Sequence, residues 1–368
     1  MKAVRWFGRR DIRIDDLPEP KVGKGEVKVK ITWSGICGTD VHEFTDGPIF
    51  IPVDVPHKLT GQKAPIIIGH EFGGYVVEVG EDVKSVQVGD LVAVMPLMSC
   101  GKCIFCQENR PNLCPDAAYR GLMGDGGMTE FIVVPEKDVQ KFPEGVAPEL
   151  VAFGEPFAVA VHALNRVGGV KGRSVSVVGA GPIGLIVAKV AEHLGAKPVI
   201  IFESDIGRRQ CAKRLGFSHV FDPHNKSDRE MFRALTNGLG TDVTVDAGGS
   251  AIIFEPAFPV AGLSSLQISF DITRPGGQVV LVAIHFPQIK LNMATFLSSE
   301  KSLFASWLYL PEEFEQGVKV IVELADWVPK LITRKIFIDS IVEEGLLELE
   351  LYRAKHIKIL VTPHHEFL

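Results

Sequence analysis

The sequence predicts an α/β protein in two parts, a β-rich, barrel-like domain and a parallel sheet flanked by helices. Three observations predict it. Residues 1–155 carry short Val-rich runs, among them EVKVKITW, GGYVVEVG, DLVAVMP and EFIVVP, separated by Gly and Pro turn signals. From about Glu155 the apolar spacing changes from that of strands to alternating helices and strands. Within that region SVSVVGAGPIGL sets a glycine-rich turn between a strand and a helix.

The elements follow in order. MKAVRWFGRRDIRI alternates like a strand and lacks the apolar core of a signal peptide. After the β-rich runs, EPFAVAVHALNRVG reads as a helix and SVSVVGAG as a strand entering the Gly-rich turn. PIGLIVAKVAEHLG is then a helix, PVIIFES a strand and GRRQCAKRLGF a helix, with DVTVDAGG and QVVLVAI as later strands. That βαβ succession predicts a parallel sheet over about 156–298. Beyond residue 298 the pattern is mixed, with a helical EEFEQGVKVIVELAD and a strand in HIKILVTP.

At 368 residues, 46% of them apolar, the chain is long enough for two domains with cores. Its net charge of −6 and lack of a basic block argue against an extended nucleic-acid surface. No apolar stretch reaches the roughly 18 residues of a membrane span. The expected setting is the cytoplasm, where clustered thiols stay reduced for metals.

Cys100, Cys103, Cys106 and Cys114 stand in the spacing C-x2-C-x2-C-x7-C. Three close thiols and a fourth across a short loop can close a Zn–S4 tetrahedron, which leaves no position for substrate. The expected role is structural. An Fe–S cluster could use the same four thiolates but would have no redox partner here.

In the turn Gly179-Ala180-Gly181-Pro182-Ile183-Gly184, Gly179 makes the tight turn and Gly181 lets a pyrophosphate approach the backbone. Gly184 allows helix to pack closely on strand. Pro182 sits early in the helix, where a missing N–H matters little, and the helix start attracts phosphate. Glu203 ends the next strand, where a carboxylate accepts both adenosine ribose hydroxyls and repels a 2′-phosphate. NAD is therefore expected over NADP, although Arg208 or Arg209 could accommodate a phosphate.

Three further segments could supply a second metal: Gly35–His42 around Cys37, Gly69-His70-Glu71, and Gly154-Glu155-Pro156. A thiolate, an imidazole and a carboxylate leave one tetrahedral position open, as a catalytic zinc requires. Taken singly, His70 could be a satisfied core histidine and Glu155 a helix N-terminal acid.

The motifs GICGTDVHEF, GHEFGG, CGKCIFCQENRPNLC and VVGAGPIGL together resemble the zinc-dependent medium-chain alcohol and polyol dehydrogenases over essentially the whole chain. Within that family the sequence is most similar to the butanediol dehydrogenases, relatives of the sorbitol dehydrogenases, whose kind of insert matches DGPIFIPVDVPHKLTGQKAP. The resemblance implies a GroES-like barrel catalytic domain, residues 1–155, bearing a structural zinc lobe. It also implies a Rossmann NAD domain over 156–298 and a return to the catalytic domain over 299–368. Two zinc ions per chain are implied, the catalytic one held by Cys37, His70 and Glu155 with Glu71 beside it. Some polyol enzymes hold that glutamate through water.

By the same resemblance Thr39 would pass the alcohol proton to the nicotinamide ribose, and His42 would hand it on to solvent. The implied reaction interconverts a secondary alcohol or vicinal diol and its ketone, 2,3-butanediol and acetoin first, with sorbitol or xylitol as the alternative. A non-catalytic dinucleotide-binding protein on the same fold would not need Cys37, Thr39, His42 and His70 together. Phe304, Trp307 and Tyr309 could line an apolar pocket or serve packing, and Met98, Arg120 and Met123 are candidate neighbours of the site. A homodimer or homotetramer is expected, joined through Gln278–Ile284 or the strand-like segment that follows it.

Overall fold

The Val-rich runs of the first half become the antiparallel strands Glu26–Gly35, Glu71–Val79, Leu91–Val94 and Phe131–Pro135. The computed structural model describes residues 1–249, 264–285 and 291–368. It divides into two units, Met1–Ala158 with Leu310–Leu368, and Val159–Tyr309.

In the first unit, β-branched side chains at alternate positions pack inward. Val27, Val29, Ile31, Phe72, Val76, Val92, Val94, Ile132 and Val134 form one buried cluster. MKAVRWFGRRDIRI folds as the hairpin Lys2–Gly8 and Asp11–Asp16, turned at Arg10 with φ 61°. The carboxyl-terminal strand Lys358–Thr362 pairs antiparallel with Glu26–Gly35, Leu360 facing Gly35. Gly35 in turn faces Glu71 in the register of the neighbouring strand. Three strands from distant parts of the sequence thus meet at one level.

The second unit is a six-stranded parallel sheet of Val175–Val178, Val199–Phe202, Val220–Phe221, Thr241–Asp246, Thr273–Leu281 and Ser302–Ala305. Counted one to six along the chain, they run 3-2-1-4-5-6 across the sheet, the dinucleotide-binding order. Central strands such as Val175–Val178 are buried at every position, as expected where both faces are covered.

Two expectations change. The strand placed at Gln278–Ile284 runs from Thr273 to Leu281. It stops there because the Val282 and Ala283 N–H groups turn to the Asp246 carbonyl, at 3.1 and 3.0 Å. Nor is it the sheet edge: Ser302–Ala305 pairs beside it in parallel register, Val280 with Phe304. That added strand carries the second unit to Tyr309, beyond the boundary expected at residue 298. Of the three aromatics near it, Tyr309 is fully buried while Trp307 is 45% exposed.

Candidate active site

Cys37 caps the helix Gly38–Asp46, a role in which its backbone N–H is held by Asp40 Oδ2 at 2.8 Å. Gly69, at φ 92°, makes the left-handed turn before His70. This brings ligand atoms of Cys37, His70 and Glu71 within 4.8 Å of one another. Glu155 stands outside that trio, at the first turn of the helix Gly154–Asn165. Its carboxyl nevertheless feels His70 and Glu71 electrostatically.

Two buried residues that sequence reasoning did not single out complete the surroundings. Asp40 Oδ1 lies 3.7 Å from His70 Nδ1. Lys358 Nζ donates to Glu71 Oε2 at 2.6 Å and to the Ile36 carbonyl at 3.3 Å. A side chain at residue 35 would collide with that Glu71 carboxylate, so only glycine leaves room for the pair. Lys358 was signalled by being the one charge in the apolar run IKILV. Asp40 was signalled by its place three residues after the helix cap.

The electrostatics are those of a cation site. Burial pushes the Glu155 carboxyl up to about 7 and raises Asp40 as well. Burial alone would lower His70, but the Cys37 thiol, Asp40 and Glu155 outweigh it and hold the imidazole well above its ordinary range. Lys358 behaves likewise: burial lowers it, and Glu71 and Cys37 restore and raise it. Buried Glu71 Oε1, Asp40 Oδ1 and His70 Nδ1 have no hydrogen-bond partner among the described residues. Three acids and a thiol around one lysine and one histidine suit a divalent metal. Thr39 Oγ1 is 3.7 Å from Cys37 Sγ. His42, 39% exposed, has Nδ1 3.4 Å from Asp46 Oδ2. Arg120 takes no part here, its guanidinium being committed to Asp138 and the Met95 carbonyl.

The ligand atoms of Cys100, Cys103, Cys106 and Cys114 also lie within 4.8 Å of one another. Zn–S bonds of about 2.3 Å in a tetrahedron imply S···S edges of about 3.8 Å. The Cys103–Cys106 and Cys100–Cys106 sulfur pairs stand at 3.5 and 4.0 Å, which fits. Backbone N–H groups of Lys102 and Cys103 hold the Cys100 thiol down at about 6, which favours the thiolate form that binds metal. Burial pushes Cys114 up to about 12.

In the second unit Gly179 adopts φ 103°, and a Cβ on Gly184 would strike the Gly179 carbonyl. Gly181 caps the helix Pro182–His193, and the nearest group to a Cβ built on it is Arg208 Nη1 at 4.0 Å. With Ile183 and Gly184 in its first turn, that helix start is open to an anion. Glu203 Oε2 accepts from Ala180 N at 2.8 Å, which places the carboxylate against the glycine turn. Arg209 is held by the Glu203 and Ser204 carbonyls and by Asp222, so Arg208 is the arginine nearer the turn.

A model of the alcohol dehydrogenase GroES-like domain matches residues 23–144, and one of the zinc-binding dehydrogenases matches 182–323. The (R,R)-butanediol dehydrogenase of Bacillus subtilis (strain 168) is 35% identical over 99% of this chain and 100% of its own. The chain belongs to the zinc-dependent medium-chain alcohol dehydrogenases. Its fold agrees with that of the crystal structure of 2R,3R-butanediol dehydrogenase from Bacillus subtilis, at a TM-score of 0.86 and 34% identity over 99% of both chains. An alcohol dehydrogenase from Escherichia coli CFT073 complexed with NADH gives 0.82 at 28% identity, over 98% of this chain and 99% of the other. A zinc-binding dehydrogenase of Sinorhizobium meliloti 1021 bound to NADP gives 0.80 at 27%, with the same coverage. The protein is accordingly an oxidoreductase that uses zinc and a nicotinamide cofactor. Among the described residues no helix is long and apolar enough to cross a membrane.

Proposed function

We propose that the protein interconverts a vicinal diol and its hydroxyketone, 2,3-butanediol and acetoin first, with NAD preferred over NADP. The observation that carries this reading is the cluster of half-buried Cys37 with buried His70 and Glu71 in a chain 35% identical to a butanediol dehydrogenase. Cys37, His70 and Glu155 are the proposed holders of the catalytic zinc. Glu71 is already engaged by Lys358, whereas the raised Glu155 carboxyl is the one that a nearby cation would ionise. Cys100, Cys103, Cys106 and Cys114 hold a second, structural zinc.

When bound, zinc supplies Lewis-acid polarisation of the substrate oxygen, and NAD supplies the hydride acceptor. The chain's own residues do the rest. Asp40, 3.7 Å from Nδ1, steadies the His70 ring by charge, and Lys358 ties Glu71 to the Ile36 carbonyl, next to Cys37. Thr39 would relay the proton from the substrate oxygen to the nicotinamide ribose hydroxyl, giving up its own hydroxyl proton as it accepts, and His42, which is partly exposed, would hand it on to water. Gly179–Gly184 seats the pyrophosphate, and Glu203 takes the adenosine ribose hydroxyls. Arg208, whose Nη1 stands 4.0 Å from a Cβ built on Gly181, would hold a phosphate oxygen.

The reading extends to a cytoplasmic, homodimeric or homotetrameric enzyme. Thiols set at metal spacing support a reducing compartment. The parallel edge strand Ser302–Ala305, with Leu303 42% and Trp307 45% exposed, supports pairing of sheets across a two-fold axis. Initial rates with 2,3-butanediol, acetoin, sorbitol and xylitol at equal concentrations test the substrate. Preference for the four-carbon pair is expected, and preference for sorbitol would overturn it.

A further inference from the structure

At the carboxyl end of the strand Thr241–Asp246 lies a buried acid–imidazole pair that the site above does not use. His285 Nε2 stands 2.7 Å from Asp246 Oδ2, with the two side chains 6% and 0% exposed. The other carboxylate oxygen accepts from Gly248 N at 3.1 Å. A carboxylate only accepts, so the proton of a neutral His285 sits on Nε2 and Nδ1 keeps its lone pair. That Nδ1 is buried and has no hydrogen-bond partner among the described residues. A fully oriented imidazole with an unused acceptor is a feature that a ligand would complete.

Its position names the ligand. The strands Val199–Phe202, Val175–Val178, Thr241–Asp246 and Thr273–Leu281 are consecutive neighbours in the sheet, and ligands of such sheets lie over their carboxyl ends. Glu203 contacts the glycine turn from the first of these, through Ala180 N. From the opposite side Ala247 and Gly248 press on the same turn: a Cβ on Gly179 would stand 2.8 Å from the Ala247 carbonyl oxygen and from Gly248 Cα. The turn therefore has the adenosine-ribose acceptor on one flank and the Asp246–His285 pair on the other. A dinucleotide whose pyrophosphate sits at the turn and whose adenosine lies toward Glu203 sends its nicotinamide nucleoside toward His285.

We propose that His285 Nδ1 accepts a hydrogen bond from the nicotinamide nucleoside, from its carboxamide NH2 or a ribose hydroxyl, and that Asp246 is the positioning residue that fixes the tautomer. This rests on the reading of Gly179–Gly184 and Glu203 as the dinucleotide site.

The decisive variant is His285→Gln. Its amide nitrogen reproduces the Nε2 donor to Asp246 but removes the Nδ1 acceptor. Calorimetric titration of the zinc-loaded enzyme with NAD, its 3-acetylpyridine analogue and AMP reads the effect without turnover. The expected result is unchanged AMP affinity and NAD binding weakened about tenfold, the consequence of one lost buried hydrogen bond. An analogue that lacks the carboxamide NH2 and is not weakened supports the carboxamide as donor. Equal weakening of the analogue supports a ribose hydroxyl. Asp246→Asn, which frees the tautomer, is expected to give the same selective loss. NAD affinity equal to wild type in His285→Gln, or equal losses of AMP and NAD, would overturn the proposal. Wild-type protein that bound neither AMP nor NAD would instead overturn the cofactor site on which it rests.

Discussion

Lys358→Met removes the ammonium from beneath Glu71 while keeping most of its unbranched stem. The two side chains are 2% and 1% exposed and 2.6 Å apart. Without Lys358, Glu71 Oε2 joins Oε1 as a buried acceptor without a partner among the described residues, beside Asp40 and Glu155. Removing one member of a buried ion pair costs about 3–5 kcal/mol, chiefly because the other charge stays buried. For a unit of about 220 residues each kcal/mol shifts the midpoint by about 2–4 °C, so a fall of about 6–20 °C is expected. Adding Glu71→Gln removes the stranded charge and should restore most of the loss. Scanning calorimetry of zinc-replete protein at fixed concentration reads both. A Lys358→Met midpoint within about 2 °C of wild type, or a double variant a full step below the single, would refute the reasoning.

Other outcomes follow from the same geometry. Glu203→Ala should weaken NAD roughly tenfold, for want of the ribose acceptor, and narrow its advantage over NADP; steady-state kinetics with both cofactors checks this. Cys103→Ser should lose one zinc per chain and open the Cys100–Cys114 lobe to proteolysis, since metal binding in a closed site is coupled to folding. Burial raises the Asp242 carboxyl, but hydrogen bonds from the Ser174 hydroxyl and backbone and from Arg274 hold it below the ordinary value. Asp242 thus stabilises the fold above about pH 4, and this is lost as pH falls through its lowered native value. The stability gap between wild type and Asp242→Asn should accordingly close in acid denaturation below that range.

Local patterns made much of this legible in the sequence. The thiol spacing and the strand–glycine–helix passage each place their residues within one short segment, so chain order alone sets their geometry. The ligand cluster at Cys37 was legible only as separate motifs, because its assembly depends on sheet register: Gly35 opposite Glu71, and Leu360 opposite Gly35. Lys358 reaches Glu71 across nearly the whole chain, and no local period reports such a contact. The strand Ser302–Ala305 was legible only as a strand-like segment without bounds, because four largely exposed residues lying beyond Glu300 at φ 49° carry too weak an alternation to read. Asp246 and His285 were hidden for another reason. Asp246 ends one strand and His285 lies just beyond the end of another, and only the parallel pairing brings them together.

The central claim is that Cys37 belongs to a catalytic zinc site separate from the four-thiol lobe. Zinc content per chain, measured together with NADH formation from 2,3-butanediol in wild type and Cys37→Ser, tests it most directly. The account predicts two zinc ions in wild type. In Cys37→Ser it predicts one, no NADH formation above background, and an unfolding midpoint close to wild type. A Cys37→Ser protein that kept both zinc ions, or that still reduced NAD at the wild-type rate, would contradict it.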